Sequence, residues 1–400
     1  MLSDQRLIEN KTERTIQHIR RYGPRRLDQR DLNRGFQVLH RSLNHPDTWS
    51  CAHRLFQELS PKIEQSDIGY IVDWHRFLHR GIERSQSVKK TDAEAYLRLQ
   101  RGHLLRSMGK YEQAETEYEK AATLYSDCKN ELQRANALVY QARTLWRQGK
   151  ASVTRLLLQH VWSILINEDL ESELKIRVLA HYHFLQGVLF HTVEADLSSA
   201  ERELRASLEL WFKTEDEHQI ALAESNLGPT LRDQGKHMEA ISSYERSIAT
   251  LNNYGDKKNA RIYQLNLSNI YLDLEQPNKA LTHLLAIEPV LRKSGNKQQW
   301  AKALTGIAIA YQMQNKLDDA IENFNCALDI YDSFNMEWSF VEVGYDVSIV
   351  YQVKGSYLQE WEILQKTKNT IEQSQNPPLS FELVEKIKNR LLELEEILKK

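Results

Sequence analysis

Polar and apolar residues alternate along this chain with a helical period, and the apolar positions fall into a repeating frame. The segment GKYEQAETEYEKAATLY (109–125) shares its pattern with GKHMEAISSYERSIATL (235–251) and NKLDDAIENFNCALDIY (315–331). One small residue marks each unit: Ala114, Thr154, Ala200, Ala240, Ala280 and Ala320, with Glu360 in the last. The steps between them are 40, 46, 40, 40, 40 and 40 residues, an array of about seven units. Each unit holds two amphipathic stretches. In the first, a small residue (Gly102, Ala142, Gly187, Gly228, Ser268, Ala308, Ser348) is followed three positions later by Leu105, Leu145, Phe190, Leu231, Tyr271, Tyr311 or Tyr351. In the second, Tyr118, Leu158, Leu204, Tyr244, Leu284, Phe324 and Leu364 follow the small residue at i+4. Spacings of three and four put these residues on one helical face, where a small residue lets helices approach and the large one fills the space beside it. Two antiparallel helices cannot bury such faces alone, so the units must stack.

The frame resembles the tetratricopeptide repeat. The matches are Gly102, Gly109-Lys110-Tyr111, Ala114, Tyr118 and Ala121; then Leu227-Gly228, Gly235-Lys236, Ala240 and Tyr244; and Ala308, Tyr311, Leu317, Ala320, Phe324 and Ala327. They recur over residues 93–371, about 70% of the chain. A 40-residue unit exceeds the usual 34 or so and approaches HEAT spacing, but the Gly-Lys turns and alanine frame favour the longer tetratricopeptide variety. That variety is seen in kinesin light chains and bacterial peptide-responsive regulators. The resemblance implies an all-α fold: a right-handed α-solenoid of helix–turn–helix repeats over 91–371. A basic N-terminal helical region (1–90), bundle or degenerate repeats, precedes it. In 372–400 a linker leads to a helix with Val384, Ile387, Leu391, Leu394 and Leu398 on one face and Ser380 as N-cap. This helix is expected to cap the stack; a coiled-coil dimer helix is the alternative. A longer loop is expected near 166–173, and Glu360 is expected to loosen the last helix pair.

Composition narrows the field. Only 15 Gly and 8 Pro in 400 residues cannot supply the turns of a large β fold. The N-terminus is polar and no run of 18 apolar residues occurs, so neither a signal peptide nor a membrane span is expected. Three isolated cysteines (Cys51, Cys128, Cys326) suit a reducing cytoplasm, and Cys326, beside Ala327, is expected to be buried. The net charge of −2 is uneven: residues 1–90 hold 17 Lys/Arg against 11 Asp/Glu. Arg20, Arg21, Arg25, Arg26, Arg30 and Arg34 form either a solvated face or a patch for an acidic partner or nucleic acid.

Catalytic signatures are missing. No phosphate loop, H-E-x-x-H, paired C-x-x-C or G-x-S-x-G occurs, and His75/His79 and His181/His183 lack the ligand sets a metal needs. A non-enzymatic protein with no cofactor or metal is the expectation. Partner binding is assigned to the groove lined by first helices. Its candidates are Arg106, Tyr140, Arg143, Trp146, Arg147 and Arg232, a basic and aromatic set suited to carboxylates or phosphates, and Asn226, Asn266 and Asn269. Asn226 and Asn266 stand 40 residues apart like rungs, and in related arrays such asparagines hold an extended peptide. Pro229, inside a first helix, frees the Ser225 carbonyl. The leading function is a cytoplasmic scaffold or adaptor that captures a peptide or helical segment of another protein. The alternatives are a peptide-responsive regulator of a separate effector in a sensing or defence system, and nucleic-acid association through the Arg-rich N-terminus.

Overall fold

A computed structural model describes residues 2–22, 27–64, 70–167, 172–374 and 380–399. Among them are nineteen α-helices and no strand. The chain divides into two units. The first is Met1–Gly235 with Ala249–Lys257, and the second is Lys236–Ile248 with Lys258–Lys400. No helix among the described residues is long and apolar enough to cross a membrane.

The first unit begins with α1 (Leu2–Arg21), α2 (Gln29–Asn44), α3 (Trp49–Glu64) and α4 (Ile71–Ser87). Their apolar faces and those of Leu97 and Leu104 on α5 (Thr91–Ser107) build one core around Phe56, Trp74 and Leu78. Then come α6 (Tyr111–Asp127), α7 (Glu131–Arg147), α8 (Ala151–Leu165), α9 (Glu173–Leu189), α10 (Leu197–Phe212) and α11 (Glu217–Asp233). Helix α12 (His237–Asn253) precedes α13 (Lys257–Asp273), α14 (Pro277–Lys293), α15 (Lys297–Met313), α16 (Leu317–Ser333), α17 (Glu337–Lys354) and α18 (Tyr357–Gln373). A last helix, α19 (Phe381–Leu398), packs on α18.

The small-against-large frame is the packing rule within each unit. Ala114, Thr154, Ala200, Ala280 and Ala320 are fully buried, and so are Tyr118, Leu158, Leu284, Phe324 and Leu364. A Cβ at Gly102 would lie 2.6 Å from the Tyr118 ring, and one at Gly187 would lie 2.7 Å from Leu204 Cγ. Thr154, the polar member, donates its hydroxyl to the Lys150 carbonyl at 2.9 Å and so carries no unsatisfied group inward.

The turns reveal a finer period of 20 residues. Helices end in a left-handed residue at Lys89, Gly109, Lys129 and Gly149, and again at Glu215, Gly235, Gly255, Glu275, Gly295, Asn315, Asn335 and Gly355. The next N–H then reaches back to a carbonyl of the last turn, as Lys110 donates to Leu105 at 2.9 Å and Asn130 to Tyr125 at 2.9 Å. Turns inside and between helix pairs are thus alike. The 46-residue step splits in a way the sequence reading missed. Helix α9 starts 22 residues after α8, and α10 starts 24 after α9, against the usual 20. The loop near 166–173 therefore holds the smaller share. The rest forms a π-helical turn, Phe190–Glu194, closed by left-handed Ala195. Its His191 meets Asp233 at 2.8 Å and Thr230 at 3.0 Å, which ties the insertion to α11.

Glu360 corrects a second expectation. It does not loosen the last pair: it is 1% exposed, and Leu364 beside it is fully buried. Its carboxylate takes a fork from Arg390 of α19, Nε at 2.6 Å and a terminal nitrogen at 3.1 Å. The last repeat replaces its alanine with the anchor for the capping helix. Breaking such a pair on the side that leaves the buried charge behind costs about 3–5 kcal/mol. Arg390→Ala is therefore expected to undock α19, seen as fast amide exchange over 381–398. Glu360→Ala should do less, because Arg390 keeps Glu393 at 2.7 Å. At the turns, Gly109 (φ 74°) has open space around it, whereas Lys129 holds φ 55° with a side chain. Gly109→Ala should lose about 1 kcal/mol and Lys129→Gly should gain a similar or smaller amount in denaturation, since only backbone preference changes.

Candidate functional site

Helices α5, α7 and α9 meet through Tyr140 of α7. Its ring centroid lies 4.2 Å from that of His103 on α5 and 5.0 Å from that of His181 on α9. The Tyr140 hydroxyl shares a hydrogen bond with His181 Nε2 at 3.0 Å, and His103 Nδ1 shares one with the Tyr118 hydroxyl at 2.8 Å. Trp211 closes the row edge-on to His181 at 5.2 Å. Three successive first helices thus present one continuous aromatic strip.

The arginines expected at the groove stand on such rings. Arg106 lies 5.9 Å from the Tyr140 centroid, Arg143 lies 5.0 Å from Phe184, and Arg147 lies 4.7 Å from Trp146. A guanidinium packed on a ring holds its positive charge beside rigid aromatic surface. The histidines report the field these cations create. Burial, then Arg106 and Arg143, holds His103 well below the ordinary imidazole range. Burial, then Arg143 and Arg106, does the same to His181. Both imidazoles are neutral at pH 7, and the strip is electropositive through its arginines.

The structure brings together Arg106, Tyr140 and Arg143, with Trp146 and Arg147 one turn further along α7. Asn226 and Arg232 lie half-buried on α11 of the first unit, and Asn266 and Asn269 half-buried on α13 of the second. None of these three asparagine side chains hydrogen-bonds to a described residue. Pro229 sits exposed inside α11, and the hydroxyl of the buried Ser225 has no partner. The N-terminal arginines are spread over two helices. Arg20 donates to Glu58 at 2.9 Å, Arg34 lies 3.9 Å from Asp31, and Arg21 and Arg30 are exposed. Arg25 and Arg26 lie outside the described residues.

Sequence reasoning named Tyr140 but missed Phe184 and the role of His181, which it weighed only as a metal ligand. The available signal was the 41-residue separation of Tyr140 and His181, close to one repeat. His183 instead faces Glu203 at 2.8 Å, and His79 lies 3.5 Å from Glu83. Among the described residues no three His, Cys, Asp or Glu side chains converge as a metal site. Cys326 is exposed, against expectation, although Ala327 is buried: adjacent residues on a helix point about 100° apart.

Two tetratricopeptide-repeat family models match the sequence, one over residues 95–128 and one over 219–293 and 261–333. The chain carries tetratricopeptide repeats. These repeats fall where the small-against-large frame is strictest. No curated protein matches the sequence. Among solved structures, a Rap protein complexed with competence and sporulation factor aligns with a TM-score of 0.61 at 14% identity, over 92% of this chain and 98% of its own. The Rap conjugation gene regulator of plasmid pLS20, in complex with the Phr* peptide, aligns at 0.53 and 15%, over 92% and 95%. A signal transduction ATPase with a tetratricopeptide repeat sensor, from Pyrococcus horikoshii, aligns at 0.58 and 16% over 83% of this chain. The chain spans about half (52%) of that ATPase's length. At these identities the likeness is one of fold.

The neutral histidines make the tetratricopeptide strip sensitive to acid. Their folded pKa values lie below an unfolded value near 6.5, so the stability tied to their neutrality is complete above about pH 6.5 and lost as pH falls. Each contributes a slope of up to about 1.4 kcal/mol per pH unit in that window. Thermal midpoints measured from pH 7.5 to 5 should fall less steeply for His103→Gln/His181→Gln than for the natural chain.

Proposed function

We propose that the protein is a non-enzymatic adaptor whose first-helix strip of α5, α7 and α9 binds an acidic peptide or helical segment of a separate protein. The observation that carries this reading is the set of guanidiniums seated on Tyr140, Phe184 and Trp146. Arginine on a ring offers a fork to a carboxylate, and Tyr and Trp provide rigid contact area. The half-buried Asn226 supplies a free amide on α11 for a peptide backbone. Two solved structures of the same fold hold a peptide or a competence and sporulation factor, which supports a peptide as ligand.

Those same structures favour a second reading, in which the peptide is a signal that changes how the protein docks on a separate effector. Small-angle scattering with and without the captured peptide separates the two: a regulator becomes more compact, and a passive adaptor keeps its dimensions. The test of the site itself is Arg143→Glu/Arg147→Glu. This variant should retain the helical circular-dichroism signal and melting temperature of the natural chain, yet lose the protein partners that the tagged natural chain retains from its own cell. Capture unchanged by the double reversal removes the strip as the binding site.

A further inference from the structure

Helices α2 and α4 both pack on α3 and touch one another, and an open groove runs between them. It includes a hollow of about 440 Å3 floored by Phe36 and Phe77, whose ring centroids are 5.2 Å apart, with His40, Arg41 and Asp73 at its edge. Trp74 stacks beneath Phe36 at 6.0 Å and fixes the floor. Further along the same two helices is a smaller hollow of about 260 Å3 edged by Arg80, Glu83 and Arg84. Phe36 is 8% exposed and Phe77 is half-buried, so the floor offers solvent only a small part of these two rings.

The charges around the groove say what kind of segment it suits. Both acids have a basic neighbour on their own helix: Asp73 has the Arg76 guanidinium at 3.7 Å, and Glu83 has the His79 ring at 3.5 Å. The groove arginines have none of the reciprocal kind. Arg80 meets His40 at 3.1 Å and donates to Asn44 at 2.5 Å, and Arg84 donates to the Pro46 carbonyl at 2.7 Å. Arg84 Nε is buried without an acceptor, and Arg41 is exposed. None of these three guanidiniums meets a carboxylate among the described residues. The groove is therefore apolar in its floor and positive in its uncompensated charge. A nucleic acid fits it poorly, because phosphates would have to pass Asp73 and Glu83 to reach so few cations.

We propose that the α2–α4 groove docks an acidic segment of a partner protein, one aromatic or large aliphatic side chain of which seats on Phe36 and Phe77. Carboxylates flanking that anchor meet Arg41 at one side and Arg84 at the other, the latter two turns of α4, or about 10 Å, from Phe77. This site shares no residue with the strip of α5, α7 and α9.

The probe is a short fluorescein-labelled peptide rich in Asp and Glu with one central Trp, titrated by anisotropy into the full chain. A matched peptide with Ser for Trp and a labelled oligothymidylate are the comparisons. Saturable binding is expected, weakened about tenfold or more by Trp→Ser in the peptide and by Arg41→Glu/Arg84→Glu in the protein. Arg41→Glu alone, at an exposed side chain, should weaken binding in the same direction while melting like the natural chain. Because the strip is itself proposed to bind acidic peptides, the titration is repeated in Arg143→Glu/Arg147→Glu, where saturable binding should persist and still be weakened about tenfold by adding Arg41→Glu/Arg84→Glu. The proposal is overturned if the Trp peptide does not bind, if Trp and Ser peptides bind alike, if Arg143→Glu/Arg147→Glu is the variant that abolishes binding, or if the oligothymidylate binds more tightly.

Discussion

A tetratricopeptide array is held by the distance between helices, and here that distance is set where a residue without bulk meets a large side chain. Gly102 against Tyr118 and Gly187 against Leu204 leave no room for a Cβ. Such contacts exist only if each helix returns antiparallel at a fixed offset, which a turn of constant length provides. The left-handed turn residue every 20 positions does this, even where the chain places Lys, Glu or Asn instead of Gly. The strain of those non-glycine turns persists because the packed faces on either side over-determine the backbone between them.

The fixed offset places the chemistry too. Tyr140 reaches both His103 and His181 because α5, α7 and α9 are held at repeat spacing, and the extra residues before α10 do not disturb that contact. They are absorbed into the π-helical turn, which hangs on α11 through His191. The array ends by breaking its own rule in one place. A glutamate occupies the alanine position, and only an arginine arriving from outside the repeat makes its burial tolerable.

The N-terminal helices pack small against large on α3, Gly35 facing Leu59 and Gly81 facing Phe56, but α2 and α4 do not do so with one another. Inside the repeats, large residues fill the space beside each small one. Between α2 and α4 no such match exists, so Phe36 and Phe77 floor an open hollow. The positive charge of residues 1–90, evident in composition, resolves into Arg20 paired with Glu58 and arginines without carboxylates along the groove.

The helix pairs, the all-α class and the small-against-large register were all legible in the sequence, because each depends on spacing along one helix. The half-period was not: alternate turns carry Lys129, Glu215, Glu275 and Asn315, residues that reveal a left-handed conformation only once the backbone is built. The site was legible in part. Arg106, Tyr140 and Arg143 follow from the frame, but Phe184, His181 and the Arg390 partner of Glu360 do not, since no local pattern links side chains that meet across helices. Nor did adjacency to a buried alanine bury Cys326, because burial belongs to a helix face and not to a stretch of sequence. Sequence by itself determined which residues repeat. Tertiary structure decided which rings, cations and carboxylates of different repeats meet, because those distances are fixed only when the stack closes.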